Sequence, residues 1–306
     1  MIYSLLSALG FSISFIFIKK GLPEDGSRPS FVEVQLITLL ATVIFIVLGS
    51  LLALPLGYHL VNEIRSLPGI ALFLLVLDGL FGAVIGLFLT NVAISKIGPS
   101  RTSSLRASNP LFATLFAVVF LNEKLDVTGI ISILLLICGI ALICYKKDNY
   151  SDGQPSVKNR HAGSGIALLS ALSYSISQVA RGGALKHGAT PAATLTIGFL
   201  SAAIIIAAIY LYQKRDLGAI KNLLTVSSKT LYSFGAAGIS NMAAGYLFAI
   251  ALTSIPVWMA ISIRNTQPLM TIIIGWLFLK ESETINYKLI LGTLMVMTGI
   301  WLTTFY

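Results

Sequence analysis

The sequence predicts an all-α integral membrane protein whose ten transmembrane helices form a 5+5 inverted-topology repeat. Three observations predict this fold class: an apolar composition, ten apolar runs of membrane-spanning length, and an internal duplication. Of the 306 residues, 56% are hydrophobic and 11% are charged, and the mean hydropathy is +0.88. A soluble domain carries about 25% charged residues, so this composition excludes soluble enzymes, coiled coils, disordered chains and secreted disulfide scaffolds.

Ten apolar runs follow one another along the chain, and a helix needs roughly 20 apolar residues to cross a bilayer. The longest connection between runs lies at residues 146–162, at the midpoint of the chain. We therefore predict a first five-helix repeat at 1–145, a cytoplasmic linker at 146–162 and a second five-helix repeat at 163–306. The runs are 2–18, 33–54, 69–94, 99–121, 127–145, 163–181, 191–212, 230–253, 257–279 and 287–305.

The basic residues are distributed unevenly between the two sides that ten spans define. The loops on the side of the termini hold four of them, with Arg181 assigned to one of these loops, and the opposite loops hold fifteen. The positive-inside rule then places the midpoint loop in the cytoplasm and both termini outside, in a multi-pass protein of the plasma (cell inner) membrane. The net charge of +9 thus reflects topology, and we expect the lipid bilayer, and no nucleic acid, as a partner.

Two pairs of matching segments, in the same order, reveal an internal repeat. Leu5–Ser14 and Leu168–Ser177 are identical at eight of ten positions, and Leu105–Leu111 aligns with Ile263–Leu269 at a spacing of 158 residues. Because each repeat contains five helices, an odd number, the second copy must enter the membrane in the opposite direction. Inverted repeats related by a pseudo-twofold axis in the membrane plane are typical of secondary transporters, whose binding sites lie near the bilayer midplane between the halves.

The 5+5 layout, the Ser-Ala-Leu openings of spans 1 and 6, and the paired stretches 93–123 and 251–281 resemble the EamA-type branch of the drug/metabolite transporter superfamily. The resemblance implies a carrier, since relatives export amino acids, nucleosides, sugar nucleotides and other metabolites. Relatives often have both termini in the cytoplasm, which is the opposite of the orientation that the charge count gives. The chain departs from many relatives in having Gly10 or Phe11 where they have a tryptophan, and Asn109 where they have a glutamate.

Two arginines, Arg106 and Arg264, lie inside apolar runs at equivalent positions of the two repeats. A charged side chain at the centre of a membrane helix costs at least ~2.5–3.5 kcal/mol, so each needs a partner, a wet cavity or a function. Pro110 and Pro268 follow four residues later and cannot donate to the arginine carbonyls, which predicts helix kinks at both places. We predict that the arginines bind an anionic group of the substrate. The alternatives are that they join helices through backbone carbonyls, or that Arg106 pairs with Asp78.

Asp78 is the only acid well inside an apolar run, and alanine occupies the equivalent position of the second repeat. A carboxylate inside the membrane can carry a proton, so Asp78 is the candidate for proton coupling. The alternative is that it is a counter-ion to an arginine. Glu123 and Glu281 are also equivalent to each other, but they follow the ends of apolar runs and are predicted to be anchors in contact with water.

Neutral side chains complete the predicted substrate-binding site. Asn109 and Gln267 are equivalents that directly precede the two prolines, so we expect both to line the cavity. The alternative for each is an interhelical hydrogen bond worth ~1 kcal/mol. The other predicted substrate-binding residues are Asn91, Asn241, Tyr174 and Gln178.

We predict a secondary transporter that moves a small polar metabolite, an amino acid or another carboxylate-bearing anion or zwitterion, by alternating access, as an exporter. The alternatives are an exporter of organic cations or drugs and an intramembrane enzyme. No catalytic residue, metal or cofactor is predicted, because the three histidines fall in loops and both cysteines lie in one apolar run. The expected partners are a small-molecule substrate and, as a coupling ion, protons; the chain is expected to act as a monomer or a homodimer.

Overall fold

The structure is a computed structural model, and it describes residues 1–21, 31–53, 60–97, 102, 105–106, 108–144, 157–214, 228–267, 269–270, 274 and 287–302. Every regular element within these ranges is a helix. The first half contains α1 (Ile2–Gly21), α2 (Phe31–Ala53), α3 (Leu60–Ser66), α4 (Gly69–Asp78), a π-helical segment (Gly79–Gly86), α5 (Leu87–Ile97), α6 (Asn109–Leu121) and α7 (Val127–Cys144). The second half contains α8 (Val157–Lys186), α9 (Pro191–Lys214), α10 (Ser228–Ser254), α11 (Val257–Arg264) and α12 (Tyr287–Leu302).

The distribution of side chains is that of a protein in a bilayer. Large apolar side chains cover the outer surface, with Phe73 at 57%, Phe120 at 70% and Met297 at 62% exposure, while serines and threonines are buried between the helices. Lipid favours apolar groups on the outside, and polar groups are satisfied by neighbouring helices. Four stretches are long and apolar enough to cross a membrane by themselves: Val32–Gly49, Gly69–Ala93, Pro191–Lys214 and Ser228–Ser254. Together with the shorter apolar helices, they confirm the predicted all-helical membrane fold.

The helices of each half pack mainly against helices of the other half. Helix α1 packs on α10 and α11 of the second half, and α8 packs on α4, the π-helical segment, α5 and α6 of the first half. The fifth spans of the two halves, α7 and α12, pack on each other. The opening helix of one half therefore lies against the third and fourth spans of the other, which is the reciprocity expected of a repeat around a pseudo-twofold axis.

Small residues allow the closest helix contacts. A Cβ atom at Gly10 would lie 2.9 Å from the Cβ of Ala244, and one at Gly238 would lie 2.8 Å from the Cβ of Ala41. Helices in membranes associate through this kind of backbone approach, because lipid removes the hydrophobic driving force between them. Glycines at these two positions thus fix the spacing of α10 against α1 and α2.

The third span contains a π-helical segment directly after Asp78. Its three buried glycines face the second half: a Cβ at Gly86 would lie 3.0 Å from the Tyr174 ring, and a Cβ at Gly82 would meet the Ser177 hydroxyl. Widened helical turns of this kind are rare and often occur at functional sites. The segment brings the third span against the polar face of α8.

The fourth span was expected over 99–121 with a kink at Pro110, and the structure instead begins a helix at this point. Helix α6 begins at Asn109 with Pro110 in its first turn, and Arg106 lies before that start. Proline is tolerated in the first turn because the N–H it lacks would have no partner there. In the ninth span α11 ends at Arg264, and Asn265 and Thr266 form a turn. Pro268, predicted to kink this span, lies outside the described residues.

Helix α8 begins at Val157, inside the segment expected to form the linker 146–162. The residues from 158 to 161 are polar, so they lengthen the helix beyond the apolar part that crosses the bilayer. The sequence pattern located the apolar part of this span and not the polar extension.

Candidate functional site

A buried ion pair joins Asp78, at the end of α4, to Arg181 of α8. Both Nε and Nη2 of Arg181 lie 2.8 Å from Asp78 Oδ2, and the Ser177 hydroxyl donates to Oδ1 at 2.6 Å. The side chains of Asp78 and Arg181 are 1% and 13% exposed. The carboxylate is thus held by a charge-assisted pair and a hydroxyl, and its counter-ion is Arg181, not Arg106.

The assignment of Arg181 to a loop was wrong. It lies inside α8, five residues before the helix ends at Lys186. The apolar run had ended at this residue, which made it resemble a loop cation, but α8 continues through it. A signal was present in the sequence: Tyr174, Gln178 and Arg181 recur at the spacing of one helical face.

Arg106 stacks on an aromatic ring of the opposite half. Its guanidinium carbon lies 4.6 Å from the centroid of the Tyr174 ring, within the range of a cation–π contact. Its Nε atom is buried and has no hydrogen-bond partner within the described part of the chain. The Nε–H donor of Arg106 is therefore shielded from solvent and makes no hydrogen bond with the described residues.

Arg264 stacks on two rings. Its guanidinium carbon lies 4.4 Å from the centroid of Phe11 in α1 and 4.6 Å from that of Phe248 in α10. The guanidinium of Arg181 lies 5.9 Å from the same Phe248 ring, so the two arginines approach a single aromatic side chain. Like Arg106, Arg264 has a buried Nε atom without a hydrogen-bond partner among the described residues.

The two arginine sites are equivalent under the sequence repeat. Arg106 corresponds to Arg264, and Tyr174 corresponds to Phe11 in the matching openings of spans 6 and 1. Each arginine of a fourth span thus stacks on the equivalent ring of the other half's opening helix. Sequence reasoning found the two arginines but not their ring partners, although the alignment of the two openings already paired Phe11 with Tyr174.

The serines that follow Phe11 and Tyr174 in the two opening helices also make equivalent contacts with the opposite half. Ser175 donates to Asn109, with its hydroxyl 3.0 Å from the carbonyl oxygen, and Ser12 donates to the carbonyl of Gln267 at 3.1 Å. These two contacts are again equivalent under the repeat. They use the backbone oxygens at the interrupted part of the fourth and ninth spans, so Asn109 and Gln267 are held next to the arginine stacks.

The remaining predicted site residues differ in their surroundings. Gln178 is buried one helical turn after Tyr174, and its side-chain oxygen has no hydrogen-bond partner among the described residues. Asn91 donates to the carbonyl of Leu87 in its own helix at 2.7 Å. Asn241 is half-buried on α10 and makes no hydrogen bond within the described ranges. Gln178 thus lies between Tyr174 and Arg181 on one face of α8, whereas the described hydrogen bond of Asn91 does not involve the arginines.

Positive charges outnumber negative charges in this region. Arg181 and Arg264 approach the same Phe248 ring, and Arg106 stacks on Tyr174, which lies seven residues before Arg181 in α8. Three guanidinium groups thus share the interior with one carboxylate, which Arg181 already neutralises. Among the described residues, the arginine cluster carries two positive charges without a counter-ion.

Glu123 lies just after the end of α6, as expected, and its side chain is more buried than the sequence indicated. Its side chain is 7% exposed, and its carboxylate accepts hydrogen bonds from the backbone N–H groups of Val257 at 3.0 Å and Trp258 at 3.3 Å. Lys186 pairs with it at 3.0 Å. The side chain is less exposed to water than expected, and it acts as an anchor because the carboxylate caps the N-terminus of α11, where the helix dipole favours negative charge. Glu281 lies outside the described residues.

These observations define a multi-pass helical membrane protein in which partly buried arginines of both repeats stack on aromatic rings between the helices. The model of the EamA-like transporter family matches residues 1–145 and 161–305, and the chain belongs to this family. The resemblance deduced from the sequence is thereby confirmed, and the family is one of transporters. A solved crystal structure superposes with a TM-score of 0.73 at 16% sequence identity, covering 99% of this chain and 96% of that chain, which shows a shared fold. A comparison with curated proteins gives no match.

Proposed function

We propose that this transporter carries a small anionic or zwitterionic metabolite out of the cell by alternating access. The observation that carries the proposal is the pair of equivalent arginines, each stacked on a ring of the other half. A cation inside a membrane is expensive, and charges at this depth commonly mark a ligand pathway. An anion that binds them supplies the missing charge.

The stacking prepares each arginine for an anion. A ring holds the flat guanidinium on one side and leaves its N–H edge free to donate, and this edge matches carboxylate and phosphate oxygens. Gln178, one helical turn after Tyr174 in α8, adds a buried amide on the same face of this helix. A ligand carboxylate at Arg106 would therefore meet oriented donors rather than a mobile side chain.

The same contacts suggest how the halves move. Arg106 and Tyr174 belong to different halves, as do Arg264 and Phe11. Movement of one half against the other must shift both stacks, so each conformation can offer the substrate a different arginine. This is the exchange of roles that alternating access between inverted repeats requires.

Export of organic cations is less well supported. A cation would need an uncompensated acid, and Asp78 is already held by Arg181 and Ser177. The same contacts favour a counter-ion role for Asp78 over that of a proton carrier, because both of its carboxylate oxygens are already bound by Arg181 and Ser177. If protons drive transport, we expect them to use another group.

Uptake into proteoliposomes tests the substrate class. Labelled succinate, 4-aminobutyrate and tetraethylammonium are offered to vesicles that contain the wild-type chain, Arg106→Gln or Arg65→Gln. Arg65 is an exposed arginine of α3, so its replacement matches the change in net charge away from the cluster. We expect uptake of an anion or a zwitterion that Arg106→Gln reduces at least roughly tenfold, equivalent to ~1.4 kcal/mol. Uptake of tetraethylammonium alone would contradict the proposal.

A further inference from the structure

The π-helical segment Gly79–Gly86 keeps one face of the third span in contact with α8. Residues spaced four apart make these contacts: Asp78 with Arg181, Gly82 with Ser177, Gly86 with Tyr174, and Thr90 with Ser170. In an α-helix with 3.6 residues per turn, positions four apart rotate by about 40° at each step. The wider turns of a π-helix reduce this rotation, so all four positions remain directed at α8.

Two features of the sequence meet at the backbone carbonyl of Phe81, inside this segment. Ser173 of α8 donates its hydroxyl to this oxygen at 2.6 Å. A Cβ atom at Gly86, five residues after Phe81, would lie 2.7 Å from the same oxygen, which is closer than a real Cβ atom approaches a neighbour. The glycine therefore permits the wide turn, and a serine of the opposite half supplies a donor for the carbonyl inside it.

The second repeat differs at both of these positions. Its eighth span is the uninterrupted helix α10, with Ala244 at the position equivalent to Gly86. Gly10 of α1 is equivalent to Ser173 and lies against Ala244, so this position offers no hydroxyl to α10. A methyl group in place of a hydrogen and a missing donor both disfavour the wide turn, in agreement with the α-helical form of this span. The comparison of the two repeats thus links the helix type to Gly86 and Ser173.

We propose that Gly86 and Ser173 are positioning residues of the proposed anion site. They hold the third span in its π form, and this form places Asp78 against Arg181 while the Tyr174 ring lies beside Gly86. The inference rests on the proposed function and adds two residues that act through Asp78 and Tyr174.

Conversion of the segment to an α-helix would change both contacts. The span would rotate between Thr90 and Asp78, so the carboxylate would turn away from Arg181 while Thr90 keeps its hydrogen bond with α8. A methyl group at position 86 would also displace the Tyr174 ring, since the added Cβ would lie 3.0 Å from two of its carbons. Because Arg106 stacks on this ring, the effect of the segment reaches Arg106 through Tyr174.

A thermodynamic cycle on the stability of the purified full-length chain tests the helix form. The double variant Ser173→Gly with Gly86→Ala gives the first repeat the two residues of the second. Arg181→Gln is introduced into the wild type and into this double variant, and thermal unfolding midpoints are measured in detergent. We expect the loss of midpoint caused by Arg181→Gln to fall to roughly half or less in the double variant, because Asp78 has already left its partner.

Two further backgrounds keep the stability cycle informative if the double variant unfolds. Ser173→Ala removes only the hydroxyl and should reduce the effect of Arg181→Gln in part. Gly235→Ala is the matched glycine control in α10, where an added Cβ would have no described atom within 4 Å, and it should leave the effect at full size. A loss from Arg181→Gln that is equal in all backgrounds would overturn the inference, whatever the chain transports.

An affinity cycle tests the contact with the ring. Tyr174→Leu is introduced into the wild type and into Gly86→Ala, and affinities for succinate and 4-aminobutyrate are taken from the dependence of the unfolding midpoint on ligand concentration. We expect Tyr174→Leu to weaken binding roughly fivefold in the wild type and less than about twofold in Gly86→Ala, where the ring is already displaced. Equal losses in the two backgrounds would overturn the role of Gly86 toward the ring. Binding of neither ligand to the wild type would count against the proposed function alone, and the stability cycle would still decide the inference.

Discussion

Asp78 and Arg181 illustrate how strongly the role of one buried charge depends on the residues packed around it. As an isolated intramembrane acid, Asp78 was a candidate proton carrier. Its contacts with Arg181 and Ser177 instead place it in a closed ion pair, next to Gly198, where a Cβ would lie 2.9 Å from its Oδ2. The pair leaves no room for a larger neighbour, so its geometry is tightly constrained.

Replacing one member of this pair should destabilise the protein more than replacing both. Arg181→Gln leaves the Asp78 carboxylate buried without its cation, and we expect a loss of about 3–5 kcal/mol. The double variant Asp78→Asn with Arg181→Gln should recover most of it, because two amides can hydrogen-bond without charge. Denaturant unfolding in detergent measures both. A double variant as unstable as the single one would mean that the pair has another structural role.

The aromatic stacks give a second prediction at the level of single residues. Tyr174→Leu removes the one ring that contacts Arg106 in the described structure, whereas Phe11→Leu leaves Arg264 in contact with Phe248. We expect Tyr174→Leu to weaken anion binding by about 1 kcal/mol, or roughly fivefold, and Phe11→Leu to weaken it less. The affinities of the two variants are compared from the dependence of their thermal unfolding midpoints on anion concentration.

Tyr174→Phe is the matched control for this comparison, because it keeps the ring and removes only the hydroxyl. Its anion affinity should equal that of the wild type. Equal losses in Tyr174→Phe and Tyr174→Leu would show that the hydroxyl, and not the face of the ring, acts on the ligand.

At the scale of elements, α11 connects Glu123 with Arg264, two residues that are far apart in the sequence. Its first turn is capped by Glu123, and its last residue is Arg264. Eight residues separate the ends of this helix by about 10–12 Å at 1.5 Å per residue. A cavity of about 490 Å³ lies beside the cap, lined by residues that include Lys124, Lys186 and Pro256. The cap therefore positions a helix that carries a cation of the proposed site.

Removing the cap should loosen the first turn of α11. Glu123→Ala leaves the N–H groups of Val257 and Trp258 without their carboxylate acceptor and Lys186 without its ion pair. We expect a loss of about 1–3 kcal/mol, together with faster hydrogen exchange of these two amides. Glu123→Gln should show a smaller loss, because its side-chain oxygen can still accept. Unchanged exchange in Glu123→Ala would mean that the cap does not hold the helix.

The helices were predictable from the sequence, and most of their side-chain contacts were not. Apolar runs are set by the thickness of the bilayer, so their lengths and repeat pattern could be read directly. The ring partners Phe11 and Phe248 depend on how helices far apart in the chain pack. Glu123 shows the same limit, since its burial results from the N-terminus of α11 lying against the end of α6. Local pattern carries no information about these distant partners.

At the scale of the whole molecule, the sequence repeat and the contacts agree. Two halves of equivalent sequence place equivalent arginines, rings and serines in reciprocal contacts, so the site belongs to neither half alone. The equivalence has limits: the second repeat has alanine in place of Asp78, and the first has threonine in place of Phe248. In the proposed alternating-access cycle the two conformations are therefore related but not identical, and we expect different affinities on the two sides.

The most direct test of the central claim is trans-stimulated exchange of a bound anion in proteoliposomes. Substrate that passes between the halves must use both arginines in every cycle, so Arg106→Gln and Arg264→Gln should each lower the exchange rate at least roughly tenfold, as expected for loss of ~1.4 kcal/mol of stabilisation. Arg65→Gln should exchange at the wild-type rate. Wild-type exchange in either cluster variant, with normal insertion of the protein, would contradict a site shared by the two repeats.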